Sequence, residues 1–155
     1  MGSEMCIRDS NYMDTGKMIN QISNRLRRRS QLVQKRIGIS GAQGMVLDYI
    51  LVASEKHPVY QKEIEKEFGM RPSTATELLR EMERKELISR IPEEYDGRYK
   101  RIVFREKASD IREVLRAEIV GSEKQLLKGI TREEQELFLQ IAAKMLRNLD
   151  EQESV

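Results

Sequence analysis

At 155 residues the chain is long enough for one domain with its own core, since folding at that size buries roughly 68–70% of the surface an unfolded chain exposes. With 35% charged and 39% hydrophobic residues, and 28 basic against 26 acidic side chains, it is too apolar for a disordered chain and too evenly charged for a tail protein. A single cysteine, Cys6, and a single histidine, His57, exclude a disulfide framework, a CxxC redox pair and a Cys/His zinc cluster, so neither metal nor cofactor is expected.

Residues 1–12 carry a second Met at position 5 and no periodicity, and read as a tag or a disordered extension that holds the only thiol. No signal-peptide core and no run near the ~18 apolar residues of a membrane helix is present, so a cytoplasmic protein without a membrane partner is expected. From Lys17 to Arg36, the residues Met18, Ile22, Leu26, Leu32 and Val33 recur at helical spacing, with Arg25, Arg27, Arg28 and Arg29 mostly on other faces. This predicts a long amphipathic helix over 14–37. Ser40-Gly41-Ala42-Gln43 fits an S-x-x-Q capping box, and Met45, Val46, Tyr49 and Ile50 mark a second helix ending before His57-Pro58. A third helix, Gln61 to Phe68, stops at Gly69; Pro72 opens a fourth, carried by Leu78, Leu79 and Met82 to about Lys85. The short connection Gly69-Met70-Arg71 is that of a helix-turn-helix.

The period then changes. Leu87-Ile88-Ser89-Arg90-Ile91 and Arg101-Ile102-Val103-Phe104 are rich in β-branched and aromatic residues and flank the turn dipeptide Asp96-Gly97, which predicts a hairpin whose loop, Pro92 to Lys100, projects as an arm. Ile111, Val114, Leu115, Ile119, Leu126, Leu127 and Ile130 lie on a further helical segment, with Gly121 as its point of bending and Gly129-Ile130-Thr131 as its end. Thr131 and Glu134 form a T-x-x-E capping box before an apolar stripe of Leu137, Phe138, Ile141, Ala142, Met145, Leu146 and Leu149. The expected fold class is mainly α with a small β-hairpin wing (α+β): a winged helix-turn-helix at 40–105 within a single chain 13–150, with helices at 14–37 and 106–150 for dimerisation and a tail at 151–155.

Charge is unevenly spread. Residues 1–54 have 8 basic and 4 acidic side chains, 55–70 have 3 and 4, 71–105 have 9 and 7, and 106–155 have 8 and 11. The last third is the most acidic, which bears on where a polyanion could approach, although a local basic surface decides this more than total charge. In a winged helix the second helix of the helix-turn-helix lies in the DNA major groove, where short polar side chains of its first turn reach phosphates and base edges. Ser73, Thr74 and Thr76 occupy that turn, and Arg71 and Arg80 supply guanidinium donors for phosphate or guanine. Arg98 at the wing tip would enter the minor groove, with Asp96 to orient it and Lys100 and Arg101 near the backbone. Taken singly, Ser and Thr near a helix start are ordinary caps and Arg98 a solvated loop charge; the joint arrangement carries the reading. Glu77, Glu81 and Glu83 oppose it, because carboxylates in a groove of phosphates repel.

The stretch from Gly69 through Pro72-Ser73-Thr74-Ala75-Thr76 to Leu79, then Glu86-Leu87-Ile88, Asp96-Gly97-Arg98 and Phe104-Arg105-Glu106-Lys107-Ala108, resembles the MarR family of bacterial and archaeal transcription regulators over about residues 13–150. The sequence departs from the family's pattern at four places: Arg71 stands for a capping Ser, Glu77 for a frequent basic residue, Glu86 for a Gly, and Arg105 for a capping Thr. The resemblance implies a homodimer with interlocking first and last helices, a pseudo-palindromic site in double-stranded DNA, and control by a small aromatic effector or a reactive cysteine. Cys6 lacks a nearby run of cations that would lower its pKa, so the thiol route is not expected.

The residues support the dimer independently: Met18, Ile22 and Leu26 near one end and Leu137, Ile141, Met145 and Leu149 near the other are more apolar surface than one small winged domain covers. The competing arrangement packs them on the 106–129 helix of the same chain. The leading expectation is a DNA-binding repressor released by a small molecule. The alternative is a winged-helix module that binds protein, and an enzyme is not expected, since no nucleotide loop, metal cluster or catalytic residue set accompanies His57.

Overall fold

The computed structural model describes residues 13–39 and 41–153. Among these described residues, six α-helices and one hairpin follow in the order α1 (Asp14–Arg36), α2 (Gly41–Ala53), α3 (Gln61–Phe68), α4 (Pro72–Arg84), β1 (Ile88–Pro92), β2 (Lys100–Phe104), a 3-10 turn (Glu106–Ala108), α5 (Ser109–Leu126) and α6 (Arg132–Glu153). The tag reading, Cys6 and the Ser40 capping box lie outside the described residues; Gln43 is described, and its Oε1 accepts from Lys85 Nζ at 3.0 Å. The chain divides into two compact units, one up to Ile119 and one from Val120 onward.

In the first unit, helices too short to be stable alone are held by a shared apolar core. Val46, Leu47 and Ile50 of α2, Ile64 of α3, Leu79 and Met82 of α4, Ile88 and Ile102 of the hairpin and Leu115 of α5 are all buried in one cluster. The strands pair antiparallel from Ile88↔Phe104 to Pro92↔Lys100. The ladder runs one residue further at the tip end than the sequence pattern suggests. Pro92 and Lys100 are strand residues, so the wing loop is Glu93 to Tyr99, and Leu87 is buried just ahead of β1. The hairpin's inner edge is extended by Ile102 N–H, which donates to Val59 O at 2.8 Å.

Helix ends explain the sharp turns. Gly69, at φ +60°, ends α3, with Met70 N–H bonded to Glu65 O at 2.9 Å. The end of α4 has the same shape: Leu87 N–H reaches Met82 O at 3.0 Å and Glu86 N–H reaches Glu83 O at 2.9 Å. Glu86 itself stands at φ +60°, the only non-glycine residue with positive φ among the described residues. A side chain there meets the steric penalty that glycine avoids. Its carboxylate pairs with Lys107 Nζ at 3.1 Å on the surface.

α1 meets α2 at a close crossing. Gly44 is buried, and a Cβ there would lie 2.1 Å from Gln34 Cδ, so any larger residue would displace the Gln34 side chain. Gln34, the one buried residue of α1, donates through Nε2 to Ser30 Oγ at 2.9 Å and to Asp48 Oδ2 at 3.3 Å, and Ser30 Oγ donates to the same Oδ2 at 3.0 Å. Asp48 Oδ1 is buried with no hydrogen-bond partner among the described residues. Burial above all, helped by the negative charge of Glu118 and opposed by the bonds from Ser30 and Gln34, raises the Asp48 carboxyl from 3.8 to about 6.

α5 runs through Gly121 without interruption, and Gly129 at φ +78° follows it. The start of α6 is the reciprocal cap read from the sequence: Glu134 N–H donates to Thr131 Oγ1 at 3.1 Å, and Thr131 N–H to Glu134 Oε1 at 2.9 Å. The backbone donor at Thr131 holds the Glu134 carboxyl below its ordinary value. α6 buries none of its own residues, and Leu137, Phe138, Ile141, Leu146 and Leu149 are exposed along it.

Two stability measurements check these points. Glu86→Gly and Glu86→Ala both lose the Lys107 pair, but only glycine relieves the backbone, so Glu86→Gly should be the more stable by about 1 kcal/mol in urea unfolding; equal stabilities would show that the positive φ is not strained. For Asp48, the folded carboxyl keeps its proton up to about pH 6 while the unfolded one releases it near 3.8. The folded state therefore binds more protons in that interval, and this group's contribution makes stability fall as pH rises from about 4 to 6. Asp48→Asn should flatten that part of the profile and be more stable than the parent at pH 7; parallel profiles would refute the raised value.

Candidate nucleic-acid interface

α4 begins at Pro72, whose fixed φ suits a first turn, after Arg71 in an extended conformation. No side chain caps α4, so Ser73 and Thr74 are not its caps, and both are exposed. Thr76 is half-buried instead: Gln61 Nε2, from the first residue of α3, donates to Thr76 Oγ1 at 2.8 Å and to Pro72 O at 3.3 Å. Arg71 and Arg80 are exposed. The surface that α4 presents is thus Arg71, Ser73, Thr74 and Arg80, while Thr76 is engaged by the helix behind it.

The acidic residues of α4 divide. Glu81 pairs with Arg84 one turn on, and Glu83 accepts from Arg90 Nε at 2.9 Å. Their charges are neutralised locally, which removes most of the objection that the sequence raises against a polyanion. Glu77 is exposed.

At the wing tip Arg98 and Asp96 form a closed unit. Arg98 backbone N–H donates to Asp96 Oδ1 at 3.0 Å, Nε lies 3.1 Å from Oδ1, and Nη2 lies 2.9 Å from Oδ2. The side-chain bonds first, then the backbone bond, hold the Asp96 carboxyl below its ordinary value, and Asp96 raises the Arg98 guanidinium. The Arg98 side chain is nevertheless 88% exposed against 24% for Asp96, so the cation is aimed outward on a fixed stem. Lys100 is exposed beside it; Arg101 turns back, its Nε 3.9 Å from Glu93 Oε1 and half-buried.

Several residues of this surface carry no local sequence signal. Tyr60, just ahead of α3, donates to Glu93 Oε1 at 2.8 Å, lies 3.3 Å from the Tyr95 hydroxyl and packs edge-on against Tyr99 with centroids 6.3 Å apart. The contacts with Tyr95 and then Glu93 push the Tyr60 hydroxyl well above the ordinary tyrosine value, so it stays a donor. Between α3 and the wing runs an open groove of about 840 Å³, lined by Tyr60, Gln61, Lys62, Arg90, Tyr95, Arg98, Tyr99 and Lys100 with Glu63 and Glu65. Repeated tyrosines beside a basic turn were the only hint of it in the sequence. Among the described residues no group of acidic, histidine or cysteine side chains could hold a metal ion, and no helix is long and apolar enough to cross a membrane.

Residues 37–98 match the model of the MarR family. No curated protein sequence matches the chain significantly. Among solved structures, the transcription regulator MarR from Oenococcus oeni PSU-1 is 27% identical with a TM-score of 0.71, covering 85% of this chain and 98% of its own. MepR of S. aureus in its DNA-binding conformation is 26% identical with a TM-score of 0.76, covering 86% and 97%. A MepR mutant from S. aureus bound to an oligodeoxyribonucleotide is 27% identical with a TM-score of 0.55, covering 86% and 96%.

Proposed function

We propose that this winged-helix chain, whose residues 37–98 match the MarR family, is a sequence-specific DNA-binding transcription repressor of that family that occupies a pseudo-palindromic operator as a homodimer and leaves it when a small aromatic effector binds. Arg71, Ser73, Thr74 and Arg80 of α4 meet the major groove, Arg98 the minor groove, and Lys100 the flanking phosphates. The observation that carries this reading is the Asp96–Arg98 unit: an outward guanidinium whose orientation is fixed before any partner arrives, on a hairpin built against α4. Preorganised donors lose less conformational freedom on binding.

The homodimer is supported by the uncovered apolar side chains. Met18 and Ile22 of α1, and Leu137, Ile141 and Leu149 of α6, are exposed, while Leu26 and Met145 are half-buried. Apolar side chains that recur at helical spacing along an exposed helix face, as along α6, mark an interaction surface. A second copy would cover them, with recognition helices repeated about one DNA turn apart. An effector would fit the mainly apolar cavity between α1 and α5, about 600 Å³, where Leu32, Val33, Ile37, Val114 and Ala117 offer a ring-sized surface and Arg36 a place for an acid group, beside Glu118, which is paired with Arg29 at 3.7 Å.

Fluorescence anisotropy tests the DNA reading, using the duplex upstream of the protein's own gene and a scrambled duplex over a salt series. The upstream duplex should bind more tightly, affinity should fall as salt rises, and Arg98→Ala should cost about 1–3 kcal/mol or reduce the salt slope by roughly one contact. If both duplexes bind alike and weakly and Arg98→Ala changes nothing, a protein-binding wing replaces this reading. For the dimer, light scattering after gel filtration should give twice the 18.1 kDa chain mass, and Leu149→Glu should shift the protein toward the single-chain mass; a monomeric parent would refute it.

A further inference from the structure

Within the DNA-binding reading just given, on which this step rests, we infer that Arg90 is a positioning residue for DNA readout: it fixes the wing to both ends of α4, so that wing tip and recognition helix meet the duplex as one body, without touching DNA itself. Arg90 lies on β1, opposite Ile102, with its side chain only 20% exposed. Its Nε donates to Glu83 Oε1 at 2.9 Å and its Nη2 lies 2.7 Å from the same oxygen, which ties the strand to the last turn of α4. Its Nη1 reaches Gln61 Oε1 at 3.5 Å, at the start of α3. Gln61 in turn donates to Thr76 Oγ1 and Pro72 O in the first turns of α4. One planar guanidinium therefore refers both ends of α4 to the wing strand, a task that needs donors in a fixed fork and that a lysine point charge performs poorly.

The need for such a tie follows from the fold. A two-stranded ribbon is marginal by itself, and its twist is soft. The wing tip and the α4 surface belong to different elements, and two contacts reinforce each other only when their spacing is held. The position of Arg90 also accounts for Glu83, an acidic residue on the helix that would face a polyanion. Its carboxylate serves as the anchor for the strand, and its charge is cancelled in the same contact.

The test uses the full-length protein, a duplex that the parent protein selects from a randomised pool, and a scrambled duplex, each read by anisotropy over a salt series well below the melting temperature. Arg90→Ala should lower affinity for the selected duplex about tenfold, leave the scrambled duplex nearly unchanged and keep the salt slope. Glu83→Gln gives the sharper result and removes no guanidinium from the core. On charge alone, losing a carboxylate tightens binding to DNA, whereas a broken tie weakens selective binding. Glu83→Gln should therefore lose selectivity, Arg90→Lys should restore little, and the Arg90→Ala/Glu83→Gln double variant should be no worse than Arg90→Ala, because both remove the same contact.

A direct phosphate contact would instead lower both duplexes together and reduce the slope by about one, and that result overturns the inference. So does a Glu83→Gln variant that binds the selected duplex more tightly. A parent protein that selects no duplex from the pool overturns the DNA reading itself, an outcome distinct from a parent that selects and an Arg90→Ala variant that selects equally well.

Discussion

A two-stranded hairpin cannot keep its shape in water without something to lie on, and the winged half of this chain is organised around that constraint. β1 and β2 bury Ile88 and Ile102 against Leu79 and Met82 of α4 and Ile64 of α3, and Val59 supplies a backbone acceptor along the hairpin's inner edge. The same burial holds α3, only eight residues long, which would not persist as an isolated helix. Helix and ribbon are thus conditional on each other. A change that loosens one displaces the other, which is why the polar contacts that cross between them have more influence than their modest individual strength implies.

Those contacts fall into two kinds. Asp96 with Arg98 is a local, exposed pair that shapes a single side chain, and salt weakens it in proportion to its exposure. Arg90 with Glu83 and Gln61 is partly withdrawn from solvent and joins three elements. The first decides where a cation points; the second decides where the element bearing it stands. Tyr60 adds to the second kind, since its hydroxyl and ring together hold the wing loop at Glu93 and Tyr99. Glu93 and Asp96 are therefore engaged within the wing, while Arg98 and Lys100 stay exposed beside Tyr95 and Tyr99.

The parts legible in the sequence are those with local causes. Gly69 and Pro72 bracket the turn because one supplies positive φ and the other a preset first turn, and Thr131 with Glu134 marks the start of α6 by a contact confined to four residues. The wing could be read from Asp96-Gly97, although its loop closes one residue sooner at each end because cross-strand pairing, which no local pattern encodes, reaches Pro92 and Lys100. Partners distant in sequence were not legible. Gln61 looks like any helix-starting residue until Thr76, fifteen positions on, is found to accept from it, and Glu83 looks repulsive until Arg90 is seen beside it. Asp48 likewise gives no sign in the sequence that burial between α1 and α2 raises its carboxyl to about 6.

Glu86 shows how a departure from a family pattern acquires a physical meaning. The left-handed position after α4 favours glycine because any Cβ there crowds the backbone. A glutamate in that place accepts the crowding and gains a surface pair with Lys107, which belongs to the turn that leads from the hairpin into α5. An exposed pair of this kind contributes little at ordinary ionic strength, so the exchange loses stability. Its one structural return is a tie between the end of α4 and the segment after β2. The helix end is thereby fixed on two sides, by Arg90 one turn earlier and by Lys107 just beyond it. Both anchors are carboxylate contacts, and one of them, Glu83, is among the acidic residues that, read as a list of charges, argue against a nucleic-acid surface. On α4, Glu83 works as internal fastening and Glu81 pairs with Arg84, so that of the three carboxylates Glu77 is the one left on the surface with the basic residues.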